Sequence, residues 1–414
     1  MKNNTYIITG IILLFSLMLF TVFQKKPPFW DETYYLENII NLNKFGFSKQ
    51  YLIDYKGPAG PTYTLIHYLL QDITKLSAPL IRIPNIIFLI AILFYIKKIF
   101  NLNNTKNNSL VFAISSLSIA NIYTISGLVL TEIFAVFFMT FTVYYLIKHY
   151  KNNKNNYILA VISGLSFSLA ILGRQPIIVL WIALPFLFIK KGYLFKFDFS
   201  KKEFIKFLTV TLITSLIIPF YVFYLWGNIQ PLSQASTGIG ISIKNLVLAF
   251  AYAGIFTFFI KPNYFNFLLW KKNLYEFIIV LIISIFFNIF FLKIEFIPFN
   301  NIIINYLNPS LVPYYEIFCG NILSVVGFSF IYFFIKKNLL QKDPLTMFFA
   351  FGFLLIIGTS LKVTHQFSAR YVAQAFPLMV LSIHITKKEN INYLSIVTLA
   401  IGGVLGIISL NSYY

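Results

Sequence analysis

An acidic pair, Asp31-Glu32, follows the first apolar run of the chain by a few residues. The chain is 58% hydrophobic and has a formal net charge of +20, so two adjacent carboxylates need a specific reason. A carboxylate beside a substrate hydroxyl can act as a general base. Carboxylates at the start of a helix are also stabilised by exposed backbone amides, and this structural role is the alternative. The pair is therefore the first candidate for a reactive site.

Arginine is rare in the chain, with three residues, Arg82, Arg174 and Arg370, among 33 basic ones. The planar guanidinium group suits phosphate and carboxylate, so three converging arginines would form an anion site. Snorkelling to lipid headgroups is the alternative. Glu132 begins an apolar segment, where an ionisable residue is often functional, although the helix N-terminus could also explain it.

The composition indicates which elements position these residues. With 58% hydrophobic and 11% charged residues, the chain is typical of a polytopic membrane protein. We predict an all-α fold with about thirteen membrane spans in one integral membrane domain, residues 1–414. The first span is expected to be retained, and a signal peptide is the alternative. The predicted spans lie near residues 6–23, 79–96, 109–127, 129–147, 156–172, 175–189, 204–226, 243–260, 275–292, 313–335, 344–361, 371–386 and 391–410.

Lysines concentrate in alternate loops between the predicted spans. Because short loops rich in lysine stay on the cytoplasmic side, the N-terminus is expected inside. This topology places the acidic pair, Glu132 and all three arginines at the outer ends of spans. Most of the positive charge is then explained by lysines that keep the short loops on the cytoplasmic side. A nucleic-acid partner is not expected, because no soluble domain gathers the charge on one face.

The first predicted outer loop, residues 24–78, contains the acidic pair. Two amphipathic segments, 33–45 and 62–70, are predicted as interfacial helices. A turn rich in glycine and proline, which includes Lys56, separates them. A later outer segment, residues 227–243, is a possible flap over the site.

These residues resemble the GT-C superfamily of membrane glycosyltransferases, which includes protein O-mannosyltransferases and the lipid A aminoarabinose transferase. Two later stretches are similar to the eukaryotic glucosyltransferase that adds the terminal glucose to the dolichol-linked N-glycan precursor. The earlier motifs are Trp30-Asp31-Glu32, Lys56-Gly57-Pro58, Pro61-Thr62-Tyr63, Arg82-Ile83-Pro84 and Thr131-Glu132, and the later ones are Arg174-Gln175-Pro176 and His365-Gln366-Phe367-Ser368-Ala369-Arg370-Tyr371.

The resemblance implies an inverting transfer of a hexose from a polyprenyl-phosphate donor to a hydroxyl group on the outer side of the membrane. The acceptor could be a glycan, a glycolipid or a protein. The resemblance further implies that Asp31 is the general base and that Glu32 supports catalysis. The residues expected to bind the donor phosphate or another part of the substrate are Lys56, Tyr63, Arg82, Glu132, Arg174, Gln175, Lys362, His365, Arg370 and Tyr371.

No cofactor or metal is expected to be required, and a divalent metal is possible but not favoured, because the available oxygen ligands show no diagnostic spacing. The alternative function is a lipid-linked glycan flippase or another secondary transporter. Such a protein is expected to place ionisable residues in mid-span and to show related halves. The Lys-, Asn- and Ile-rich composition favours a bacterial or archaeal cytoplasmic membrane over the endoplasmic reticulum.

Overall fold

The described part of the chain is almost entirely helical, as the all-α prediction requires. Its one β-interaction is an isolated antiparallel bridge between Ile189 and Phe197. The all-α class of a polytopic membrane protein is thus confirmed. This computed structural model describes residues 2–29, 31–103, 108–193, 196–234, 240–265, 274–294, 308–340, 343–385 and 391–414.

We number the α-helices of the described ranges in chain order. A 3-10 helix, Gln175–Phe188, follows α9. The helices are α1 Lys2–Phe23, α2 Asp31–Phe45, α3 Lys49–Ile53, α4 Thr62–Thr74, α5 Ile83–Leu102, α6 Ser109–Ile114, α7 Ala120–Gly127, α8 Glu132–Asn152, α9 Tyr157–Gly173, α10 Lys202–Trp226, α11 Ile243–Ile260, α12 Leu274–Phe287, α13 Val312–Phe334, α14 Pro344–Gly358, α15 Arg370–Ala373, α16 Phe376–His384 and α17 Tyr393–Asn411.

Within these ranges, nine helices are long and apolar enough to cross a membrane. The number rises to ten if Ser109–Ser118 and Ala120–Gly127, which are bent by 81°, form one broken span. The spans predicted near 156–172 and 175–189 correspond to shorter apolar helices. The one near 371–386 corresponds to α15 and α16, and residue 386 lies outside the described residues. The count of thirteen therefore stays a prediction.

Short polar connectors determine where several long helices begin. The Asn156 side chain accepts a hydrogen bond from the Leu159 amide at 3.0 Å and caps α9. Such a cap stabilises a helix by about 1 kcal/mol. Because a loop of a few residues joins α8 to α9, the two helices pack as antiparallel neighbours. The start of α8 and the end of α9 consequently lie side by side.

The two helices predicted in the first outer loop are present as α2 and α4. The face of α2 that carries Glu32 and Tyr35 is buried, and α2 packs on α4. The buried Asn38 side chain fixes the turn between them, because it donates to the Lys56 carbonyl at 2.6 Å and accepts from the Lys56 amide at 3.1 Å. The turn is therefore a defined part of the fold.

Gly60 brings this turn against the last part of α9. A Cβ atom at Gly60 would lie 2.3 Å from the Leu172 carbonyl oxygen, so the backbones touch where only glycine fits. The Thr62 hydroxyl donates to the Leu169 carbonyl at 2.7 Å, close by in the same helix. The loop between α1 and α5, which is predicted to lie outside, is thus held against the helix end that leads directly into Arg174.

The possible flap, residues 227–243, is only partly described, since residues 235–239 lie outside the described residues. Gly227 ends α10 in the left-handed conformation, with φ of +62°. Beyond it, the Ser233 hydroxyl donates to the Tyr55 carbonyl at 3.0 Å, which joins this segment to the first outer loop. The flap role stays a prediction.

We predict that Gly60→Ala destabilises the protein by about 1–3 kcal/mol, because the new methyl group overlaps backbone that cannot rotate away. The measurement is the thermal unfolding of the purified protein in detergent. Gly358→Ala is the matched control, since a Cβ at Gly358 meets nothing within 4 Å. Equal unfolding temperatures for the two variants would contradict this close contact.

Candidate active site

Glu32 and Arg82 form a buried ion pair at the base of the site. The Arg82 Nε donates to Glu32 Oε1 at 3.1 Å and Nη2 donates to Glu32 Oε2 at 2.9 Å, a two-pronged contact. The Glu32 carboxylate also accepts from the backbone amides of Val129 at 2.6 Å and Phe29 at 3.0 Å. With 2% of its side chain exposed, Glu32 is closed to substrate in this arrangement.

The remaining surface of the Arg82 guanidinium is also occupied. Its Nη1 donates to the carbonyl oxygens of Gln24 at 3.4 Å and Lys26 at 3.0 Å, in the segment that follows α1. The guanidinium carbon lies 4.8 Å from the centre of the Tyr414 ring. Arg82 was predicted to bind the donor phosphate, but the structure places it, fully buried, among protein partners.

Asp31, next to Glu32, has different surroundings. Its Oδ2 accepts from Arg370 Nη2 at 3.2 Å, and 44% of the Asp31 side chain remains exposed, against 21% for Arg370. The Arg370 Nε donates to the Ser368 hydroxyl at 3.2 Å. Burial opposes the charge of Arg370, but the Glu132 and Asp31 carboxylates outweigh it and raise the pKa of Arg370. Asp31 is thus an accessible carboxylate beside a permanent cation.

Arg174 and Glu132 form the second half of the site. Arg174 Nη2 lies 3.6 Å from Glu132 Oε1, and its Nε donates to Gln374 Oε1 at 3.1 Å. The guanidinium carbon is 5.8 Å from the Tyr371 ring centre. Tyr371 follows Arg370 directly and Gln374 lies four residues after it, so the two ion pairs are neighbours. We call Asp31, Glu132, Arg174 and Arg370 the charged cluster.

Close packing sets the position of Arg174. Gly173 ends α9, and a Cβ there would lie 2.8 Å from the Ala135 Cβ in the first turn of α8. The helix ends therefore approach closely enough for Arg174 to contact Glu132. Arg174 and Glu132 are distant in sequence, but the antiparallel pairing of α8 and α9 brings them to the same end of the bundle.

Several polar atoms around the cluster are buried without a hydrogen-bond partner among the described residues. They are Glu132 Oε2, the Gln175 side-chain nitrogen and the Tyr63 hydroxyl. The Tyr63 ring packs 5.3 Å from the Tyr35 ring centre. Buried polar groups are normally paired, so unpaired ones beside a charged cluster mark a place where a ligand could bind.

Other predicted residues lie at the edge of the cluster or away from it. The His365 Nε2 is 3.2 Å from the Tyr371 hydroxyl, and His365 itself is exposed. Lys56 pairs with the exposed Glu37 at 2.5 Å. Lys362 is exposed in a short 3-10 turn, with no hydrogen bond or ion pair to the cluster in the described structure.

The carboxylates of the cluster face arginines. Among the described residues, no three His, Cys, Asp or Glu side chains come together in a way that could hold a metal ion. Each carboxylate of the two ion pairs contacts a guanidinium group.

Sequence reasoning missed Gln374, Ser368 and Tyr35 as neighbours of the cluster. Gln374 lies one helical turn after Arg370, so the spacing alone could have suggested a shared face. Tyr35 lies one turn after Asp31 on α2 by the same rule. Neither signal indicates the partner, because Gln374 contacts a residue 200 positions earlier in the chain and Arg370 contacts one 339 positions earlier.

Comparison with known proteins identifies the family of the chain. The family model of dolichyl-phosphate-mannose-protein mannosyltransferase matches residues 11–233, more than half of the chain, and the protein belongs to this GT-C family. It is accordingly a membrane glycosyltransferase that takes its sugar from a lipid-linked donor. No curated protein and no solved structure matches the chain. The matched region contains Asp31, Glu132 and Arg174, whereas Arg370 joins them from outside it.

We predict that Arg82→Met destabilises the protein by about 3–5 kcal/mol, because it leaves the Glu32 carboxylate buried without its cation. Thermal unfolding in detergent measures the effect. Arg370→Met is the matched control, since its partner Asp31 is nearly half exposed and the loss there should be about 0–1 kcal/mol. Similar losses in both variants would contradict the different burial of the two pairs.

Proposed function

We propose that the protein transfers a hexose from a polyprenyl-phosphate donor to a hydroxyl acceptor, with Asp31 as the general base. The family named by the matching model uses dolichyl-phosphate mannose, so mannose is the first sugar to test. The observation that carries the proposal is the contrast within the acidic pair. Glu32 is buried in its ion pair with Arg82, while Asp31 remains accessible in a cluster that also contains two arginines.

The proposed reaction forms one bond at the anomeric carbon of the sugar and breaks another. The acceptor oxygen attacks this carbon while its proton passes to Asp31. The bond between the anomeric carbon and the phosphate oxygen breaks, and its electron pair leaves with the polyprenyl phosphate. Attack from the face opposite the leaving group inverts the anomeric configuration.

Arg174 and Arg370 are the cations proposed to stabilise the leaving phosphate. A guanidinium group supplies paired donors for phosphate oxygens without any proton transfer. Both arginines belong to the same charged cluster as the proposed base. Arg82 is proposed to be a positioning residue instead, because it holds Glu32 and the backbone around it.

The proposal places the site on the outer face of a bacterial or archaeal cytoplasmic membrane, with the N-terminus inside. The support is the alternation of lysine-rich loops along the sequence. No metal takes part in the proposed step, since two arginines are available to the phosphate. Family membership favours transfer over the transporter alternative.

Asp31→Asn should lower the transfer rate by about 10²-fold or more, because the amide cannot accept the acceptor proton. The assay supplies the purified protein with polyprenyl-phosphate hexoses, mannose first, and follows the glycosylated acceptor. Glu37→Gln is the matched control, since Glu37 lies on the same helix and pairs only with exposed Lys56. Wild-type transfer by Asp31→Asn would remove Asp31 as the base.

Arg174→Gln and Arg370→Gln should each weaken donor binding by about 10–100-fold, since a hydrogen bond to a charged group contributes about 1.5–3 kcal/mol. Donor affinity can be measured in the Asp31→Asn background, where turnover is slow. Lys206→Gln controls for loss of positive charge, because Lys206 is exposed and pairs with Glu203. Unchanged affinity in both arginine variants would refute the proposed phosphate site.

A further inference from the structure

Tyr35 is a buried residue on the same helix as the accessible carboxylate of Asp31. It lies on α2 one helical turn after Asp31, so the two residues share a side of the helix. Only 2% of the residue is exposed. Its ring packs 5.3 Å from the Tyr63 ring and 3.8 Å from the Cβ position of Gly57. These contacts explain an aromatic ring, and phenylalanine would satisfy them equally well.

The hydroxyl group of Tyr35 needs a separate explanation. It forms no hydrogen bond to the described residues and is not one of the side-chain atoms enclosed without a partner, so it remains available to a ligand. Burial raises the pKa of Tyr35, the Glu132 carboxylate and Asp31 raise it further, and the Arg174 guanidinium opposes them. The hydroxyl is therefore within electrostatic reach of three members of the charged cluster.

Two more unpaired groups belong to the same part of the molecule. Glu132 Oε2 and the Gln175 side-chain nitrogen are buried without partners among the described residues. Glu132 contacts Arg174 through its other oxygen, and Gln175 follows Arg174 in sequence. Together with Tyr35, these groups provide an acceptor, a donor, and a hydroxyl that can do either.

This combination suits one part of the donor better than another. A phosphate group only accepts hydrogen bonds at neutral pH, and the Glu132 carboxylate would repel it. Sugar hydroxyls both donate and accept, so they can satisfy a carboxylate oxygen, an amide nitrogen and a phenol together. The three groups therefore match an uncharged, hydroxyl-bearing sugar ring.

We propose that Tyr35 is a substrate-binding residue whose hydroxyl, together with Glu132 and Gln175, binds hydroxyl groups of the donor sugar. The inference rests on the proposed function and adds to it a site for the sugar, separate from the phosphate-binding arginines. Because Tyr35 and Asp31 share a helix face, a sugar held by Tyr35 is held beside the base. Binding the ring in this way aligns the anomeric carbon for attack.

The test combines Tyr35→Phe with hexosyl donors that each lack one hydroxyl group. Tyr35→Phe keeps the ring and removes the single oxygen, and we expect kcat/KM with the full donor to fall about tenfold. One particular deoxy donor should show a similar loss with the wild-type protein. With Tyr35→Phe, that same deoxy donor should show no further loss, because its hydroxyl has already lost its partner.

The matched control is Tyr6→Phe, which removes a hydroxyl from an equally buried tyrosine on α1. This variant should keep the wild-type rate and the wild-type ranking of donors. Thermal unfolding of Tyr35→Phe should match that of the wild type. Gln175→Leu is tested with the same deoxy donors. We expect this variant to be insensitive to the loss of a different hydroxyl group of the sugar.

The outcomes separate this inference from the proposed function. If the wild type transfers hexose but every deoxy penalty persists in Tyr35→Phe and Gln175→Leu, the sugar-binding assignment is overturned while transfer stands. If the wild type transfers no hexose from any lipid-linked donor, the proposed function itself is refuted. Loss of sensitivity at one hydroxyl in Tyr35→Phe supports the assignment, because a purely structural tyrosine would not select a sugar position.

Discussion

The buried pair between Glu32 and Arg82 is the interaction on which the rest of the site depends. It joins the segment after α1, the start of α2, the turn before α5 and the backbone at Val129, three residues before Glu132. Removing either charge leaves the other buried, which is far more costly than losing an exposed pair. This pair also supports the position of Asp31, since its neighbour Glu32 is tied to three other segments of the chain.

The site is formed by two parts of the chain, of which only the first is covered by the family model. Residues 11–233 match the family model and contribute Asp31, Glu132 and Arg174. The later part contributes Arg370, Tyr371 and Gln374, each of which contacts a residue of the matched part or lies beside one that does. The described structure thus brings the later segment, which the family model does not cover, into contact with residues of the matched region.

Sequence reasoning predicted the helical class and the helices now seen as α2 and α4, because hydrophobic runs and helix-start residues are local signals. It also grouped the three arginines as one anion site. In the structure the three arginines do not form one group: Arg82 forms a buried ion pair with Glu32, while Arg174 and Arg370 belong to the charged cluster. That division depends on which carboxylate each arginine reaches after packing, through close approaches such as Gly173 on Ala135, and no local pattern contains this information.

The contact between Arg370 and Asp31 has a consequence for how charge moves during transfer. In the proposed reaction, Asp31 is neutralised by the incoming proton as the lipid phosphate acquires a further negative charge. Arg370 loses its anionic partner in the same step and becomes available to another anion nearby. Arg370 can therefore interact more favourably with the departing phosphate than it does before the reaction begins. Its guanidinium group then stabilises the transition state more than the ground state. The net charge of the cluster and phosphate together stays constant throughout.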